Sequence, residues 1–184
     1  MNGGTTVTAT RADVRIAWLA ALATAIHALE AQLPSPVPGI KPGLANVITV
    51  FAVCRYGWRA AAWVAVLRVF AAGLVLGTFL SPGFLLSAAG ATAAVLGLGV
   101  GRLLPGTRAI GYSTLAACAH TGGQFLLAWG LLVPHPALPY LLPWLMTAAV
   151  VFGLVNGIIA RAVLQRMPAE DGGTATHGSG HGGD

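Results

Sequence analysis

Residues 16–164 alternate between long apolar runs and short breaks made of proline, glycine and arginine. The first run, Ile16–Leu33, is 18 residues long; at 1.5 Å per residue it makes a helix of roughly 27 Å, enough to cross a bilayer core. Ala60–Leu80, Phe84–Val100, Ala109–Val133 and Tyr140–Leu164 repeat that pattern. Leu44–Tyr56 is shorter, about 20 Å as helix, and is expected to start within the membrane, with the preceding segment dipping in to meet it. The pattern predicts an all-α integral membrane bundle of six transmembrane helices over residues 14–166. Residues 1–13 are read as a flexible tail, and the glycine-rich residues 167–184 as a disordered one.

A cleaved signal peptide is the competing reading of the first run, because Arg11 and Arg15 lead an alanine-rich stretch. The run is span-length, however, and enters a proline-rich loop without an A-x-A site.

Composition agrees with the membrane assignment. The chain is 56% apolar and 8% charged, where soluble domains carry about 25% charged residues. Its formal charge of +5 comes almost wholly from arginines. They stand singly or in pairs at the ends of apolar runs, so they describe topology and no nucleic-acid surface. Arg11/Arg15, Arg55/Arg59, Arg102/Arg108 and Arg161/Arg166 mark alternate ends of the spans. The positive-inside rule then puts both termini in the cytoplasm of a cell whose inner membrane holds the protein. Cys54 and Cys118 form no C-x-x-C and read as packing residues. His177 and His181 in the tail offer at most weak metal binding, so no metal or other cofactor is expected.

The segment Pro34–Asn46 (P-S-P-V-P-G-I-K-P-G-L-A-N) is the densest break and holds Lys41, the only lysine. Pro42 suits a first helical position. The amides of Gly43, Leu44 and Ala45 would then lack helical partners, and with Lys41 beside them they suit an anionic group. A plain connector whose lysine meets water or headgroups fits the same residues.

Ionisable and amide side chains inside the spans are few and costly, which usually marks a cavity, a pair or a pathway. Glu30 ends the first run, Arg68 lies near the middle of the third, and His120 lies mid-span in the fifth with Gln124 one turn further on. Asn46, Thr78 and Ser81 fall at outer helix ends. All sit toward the non-cytoplasmic half, as a small-molecule pocket would require. The structural alternatives are a helix-holding pair of Glu30 with Lys41 or Arg68, a His120 bond to a backbone carbonyl, and interhelical bonding by Gln124 and Asn46. His27 reads as structural. Ala17, Ala21 and Ala25 form a small-residue stripe that would let another helix approach.

P-V-P-G-I-K-P-G-L-A-N at 36–46, L-R at 67–68, G-T-F-L-S-P-G-F-L-L-S at 77–87 and A-H-T-G-G-Q at 119–124 carry a resemblance to one membrane family. The chain resembles heptaprenyl diphosphate synthase component I, also called Gx transporter proteins, over most of residues 16–164. That family is similar to the solute-binding S-components of energy-coupling factor transporters. The resemblance implies a six-helix bundle that captures a vitamin-like or related solute near the outer face, and the loop, Lys41 and Arg68 suit an anionic or zwitterionic one. It implies partners too: an energy-coupling transmembrane subunit and two ATPases, with Ala17, Ala21 and Ala25 as the docking face. Glu30, Lys41, Gly43, Asn46, Arg68, Thr78, Ser81, His120 and Gln124 are the implied substrate-binding residues.

Two further readings stay open. One takes the synthase name literally, as an accessory subunit for isoprenoid diphosphate or quinone synthesis. Catalysis by this chain is not expected, since diphosphate ionisation needs Mg²⁺ held by clustered carboxylates. Its aspartates, Asp13, Asp171 and Asp184, all lie near the termini. The other reading, tied to the resemblance alone, is service to a flavin- or quinone-linked membrane redox system. No G-x-x-x-x-G-K-[ST] phosphate loop is present, so transport would need ATPases from outside the chain.

Overall fold

The computed structural model describes residues 9–32 and 43–167. Lys41, most of the proline-rich segment, and the tail histidines His177 and His181 lie outside the described residues. Within them the fold is helical: α1 (Arg11–Gln32), α2 (Ala45–Tyr56), α3 (Trp58–Val75), α4 (Pro82–Gly101), α5 (Ala109–Leu127) and α6 (Leu142–Arg166). A π-helical turn, Ala128–Leu132, extends α5, and a 3₁₀ turn, Leu138–Leu141, leads into α6.

Five helices are long and apolar enough to cross a membrane: α1, α3, α4, α5 with its π turn, and α6 with its 3₁₀ turn. Their outward faces carry large apolar side chains, among them Trp18, Trp63, Leu96, Trp144 and Ile158. An apolar surface on every side of the bundle faces lipid, and the chain is a multi-pass membrane protein. The remaining helix, α2, has 12 residues, about 18 Å, and is the most enclosed. It touches α1, α3, α5 and α6, and Val47, Val50, Phe51, Ala52 and Val53 are buried along it.

Local chemistry explains several boundaries. Helix α1 starts at Arg11, ahead of the expected span, because Thr10 and Asp13 cap it reciprocally. The Asp13 amide donates to Thr10 Oγ1 at 3.2 Å, and the Thr10 amide donates to Asp13 Oδ2 at 2.9 Å. Helix α3 ends at Val75, short of the expected Leu80, because Gly77 takes a left-handed turn at φ 64°. Ser81 then caps α4, its Oγ accepting the Phe84 amide at 3.2 Å, with Pro82 at the first helical position.

Glycine sets the spacing of α4, α5 and α6. A Cβ on Gly157 would lie 2.7 Å from the Ile110 Cα, and one on Gly153 would lie 2.8 Å from the Thr114 Cα. A Cβ on Gly123 would come as close to the Ala89 carbonyl oxygen, at 2.8 Å. These helices touch backbone to backbone, as membrane helices do when dispersion replaces the hydrophobic effect.

The arginine pairs gather at one end of the bundle. Arg15 of α1 and Arg55 of α2 lie over the Tyr56 ring at 5.7 and 5.9 Å. At the start of α3, Trp58 Nε1 donates to the Val95 carbonyl near the end of α4 at 2.8 Å. Past its midpoint, α6 packs on the start of α5 through Gly157 and Ile110.

Candidate functional site

The other half of the bundle encloses a cavity of about 480 Å³ lined by α1, α2, α3, α4, α5 and α6, within the range typical of small-molecule sites. Leu86, Phe125, Leu141, Leu145 and Phe152 supply an apolar wall. Glu30, Asn46, Arg68, His120, Gln124 and Asn156 supply polar groups.

The polar side is built around the start of α2. Glu30, buried at the end of α1, accepts the Leu44 amide on Oε1 at 2.6 Å and the Ala45 amide on Oε2 at 3.4 Å. A carboxylate here meets the positive end of the helix dipole and two amides with no helical partner. Asn46, one residue on, accepts from Arg68 Nη1 at 3.0 Å. From the opposite side Asn156 Nδ2 donates to the Gly43 carbonyl at 3.3 Å. Three helices thus hold the first turn of a fourth. Asn156 lies past the midpoint of α6, so α2 begins deep in the bundle.

Arg68 is only 4% exposed. With Nη1 engaged by Asn46, its Nε is buried without a hydrogen-bond partner among the described residues. His120 packs its ring on Gly90, where an added Cβ would sit 2.7 Å from Cε1 and 2.8 Å from Nε2. The His120 Nδ1 is likewise buried and unpartnered among the described residues. Gln124, one turn along, packs on the same glycine. A buried donor and a buried ring nitrogen left unpaired beside a cavity cost free energy unless water or a ligand engages them.

Of the residues singled out from sequence, Glu30, Gly43, Asn46, Arg68, His120 and Gln124 line this cavity. Thr78 and Ser81 do not. They border a smaller neighbouring space of about 170 Å³ that shares His27, Val69 and Ser87 with the larger one. The Ser81 hydroxyl is engaged as the α4 cap. Lys41 cannot be placed relative to either space, being outside the described residues. The Leu44 and Ala45 amides, read from sequence as a seat for a ligand anion, are occupied by the chain's own Glu30.

Sequence reasoning missed Asn156, Ser87 and Thr121, which also line the cavity. Asn156 had a usable signal, since it is an amide side chain well inside the apolar α6. Ala17, Ala21 and Ala25 are exposed along α1 and line neither space. No group of three His, Cys, Asp or Glu suited to a metal occurs among the described residues.

A family model described as heptaprenyl diphosphate synthase component I matches residues 19–163. No curated protein and no solved structure matches the chain.

Proposed function

The chain belongs to the heptaprenyl diphosphate synthase component I family, and on that premise we propose that it is the membrane-embedded, small-molecule-binding subunit of a transporter. One observation carries the reading: a cavity of about 480 Å³ in which polar side chains from α1, α2, α3, α5 and α6 meet an apolar wall. Scattered helix-to-helix bonding does not require a space of that size beside unpaired buried nitrogens.

In this reading α2 counts as a sixth, short crossing that is completed by the segment before it. The arginine-rich end lies in the cytoplasm with both termini, so the cavity belongs to the outer half of the cell membrane. The solute is held by Arg68, His120, Gln124 and Asn156 against the Phe125 and Phe152 wall, while Glu30, Gly43 and Asn46 fix the start of α2. Release across the membrane needs an energy-coupling subunit with its ATPases, docked on the Ala17, Ala21 and Ala25 face of α1. The chain is a binding protein and not itself an enzyme.

The family description favours a second reading, an accessory membrane subunit for isoprenoid diphosphate synthesis. Co-purification of the full chain from native membrane separates the two. Mass spectrometry should find a bound small solute and a transporter partner; recovery of a prenyl synthase subunit with no solute would favour the second reading instead.

A further inference from the structure

The cavity contains its own counter-charges, and this bears on what it can accept. Among the described residues, Glu30 and Arg68 are the two formally charged groups that line it, one negative and one positive. The helix terminus that would attract an anion is taken, since the Glu30 carboxylate occupies the Leu44 and Ala45 amides. Part of Arg68 is also committed, through Nη1 to Asn46. Among the described residues, what is left for a guest is directional hydrogen bonding through the Arg68 Nε–H and the His120 Nδ1. Around it stands a mostly hydrocarbon wall.

An anion entering this space would be desolvated beside the Glu30 carboxylate, and like charges placed together in a desolvated site cost several kcal/mol. An uncharged or zwitterionic molecule with an apolar body, an acceptor for the Arg68 Nε–H and a donor for the His120 Nδ1 meets no such cost. It satisfies the two buried nitrogens that have no partner among the described residues.

Building on the binding-subunit reading, we propose that the solute carries no net negative charge, and that Glu30 is the residue that enforces this by filling the anion seat at the start of α2. A diphosphate is therefore not the resident ligand. Glu30 is a specificity-determining and positioning residue in this account.

The test uses the full chain in lipid nanodiscs, first as purified from native membrane and then after removal of bound small molecules. The released molecule is identified by mass spectrometry and its net charge at neutral pH assigned. The emptied protein is then titrated with three probes: nicotinamide, its monoanionic acid nicotinate, and isopentenyl diphosphate. An uncharged or zwitterionic released molecule is expected. Nicotinamide should bind at least about tenfold more tightly than nicotinate, with the diphosphate weakest. Glu30→Gln keeps an oxygen for the α2 amides and should narrow or reverse the nicotinamide preference. A released molecule with net negative charge, or wild-type preference for nicotinate or the diphosphate, overturns the charge inference and leaves the binding reading standing. An unchanged preference in a folded Glu30→Gln overturns the role given to Glu30. Absence of any released molecule together with no response to any probe overturns the binding reading itself.

Discussion

Asn156 of α6 reaches the carbonyl oxygen of Gly43 at 3.3 Å, joining residues 113 positions apart in the chain. This contact fixes the depth at which α2 begins, because Asn156 lies well inside a helix long enough to span the bilayer. A helix that starts inside the membrane must have its first amides satisfied there, and Glu30 does this. The cavity follows from that arrangement: α2 is too short to fill the space that its longer neighbours enclose.

Glu30→Ala removes the acceptor for the Leu44 and Ala45 amides at the start of α2. Leaving a buried amide unsatisfied costs roughly 1–3 kcal/mol, so the midpoint of thermal unfolding should fall. Glu30→Gln, which keeps one acceptor, should lose less. Equal midpoints for wild type and Glu30→Ala would show that the carboxylate does not hold α2.

Gly157→Ala should loosen α5 from α6. The new methyl would meet the Ile110 Cα at 2.7 Å, and backbone cannot give way as a flexible side chain can. The expected loss is about 1–3 kcal/mol, read as a lower unfolding temperature in nanodiscs. Gly106→Ala serves as a spatial control, since nothing lies near that position, though its φ of 81° adds local strain. A Gly157→Ala protein as stable as wild type would contradict the close packing.

The orientation can be read by labelling. With Cys54 and Cys118 replaced, single cysteines at Gly106 and His135 probe opposite ends. A membrane-impermeant maleimide should modify His135→Cys in intact cells and Gly106→Cys only after permeabilisation. The reverse pattern would turn the protein over and place the cavity on the cytoplasmic side.

Ala21→Leu tests the exposed stripe on α1. The side chain points away from the bundle, so stability should change by less than about 0.5 kcal/mol and solute binding should be retained. Recovery of the transporter partner in co-purification should drop. Full recovery would move the docking face elsewhere.

Much of this arrangement was legible in the chain. Apolar run lengths gave the five long helices and the short α2, since hydrocarbon thickness dictates how many residues a crossing needs. Isolated polar residues in those runs pointed to the cavity because a membrane tolerates them only where they find company, and Glu30, Asn46, Arg68, His120 and Gln124 do. Their pairing was less legible. Leu44 and Ala45 looked like a ligand's anion seat because nothing local shows that Glu30, 14 residues earlier, folds back onto them. Asn156 escaped notice among Gly153, Gly157 and Ala160, where small residues suggest helix packing first. Thr78 and Ser81 were placed at the right end of the bundle but in a side space, because Gly77 ends α3 early and swings the turn away.

The most direct test is the occupancy of the cavity in three proteins purified alike from native membrane: wild type, Arg68→Ala and Ala148→Phe. Arg68→Ala removes the buried donor, and Ala148→Phe fills the space from the α6 wall without touching a charge. Wild type should carry close to one small molecule per chain by quantitative mass spectrometry, and both variants, folded by their unfolding transitions, should carry almost none. Equal occupancy in all three, or an empty wild type, would contradict the account.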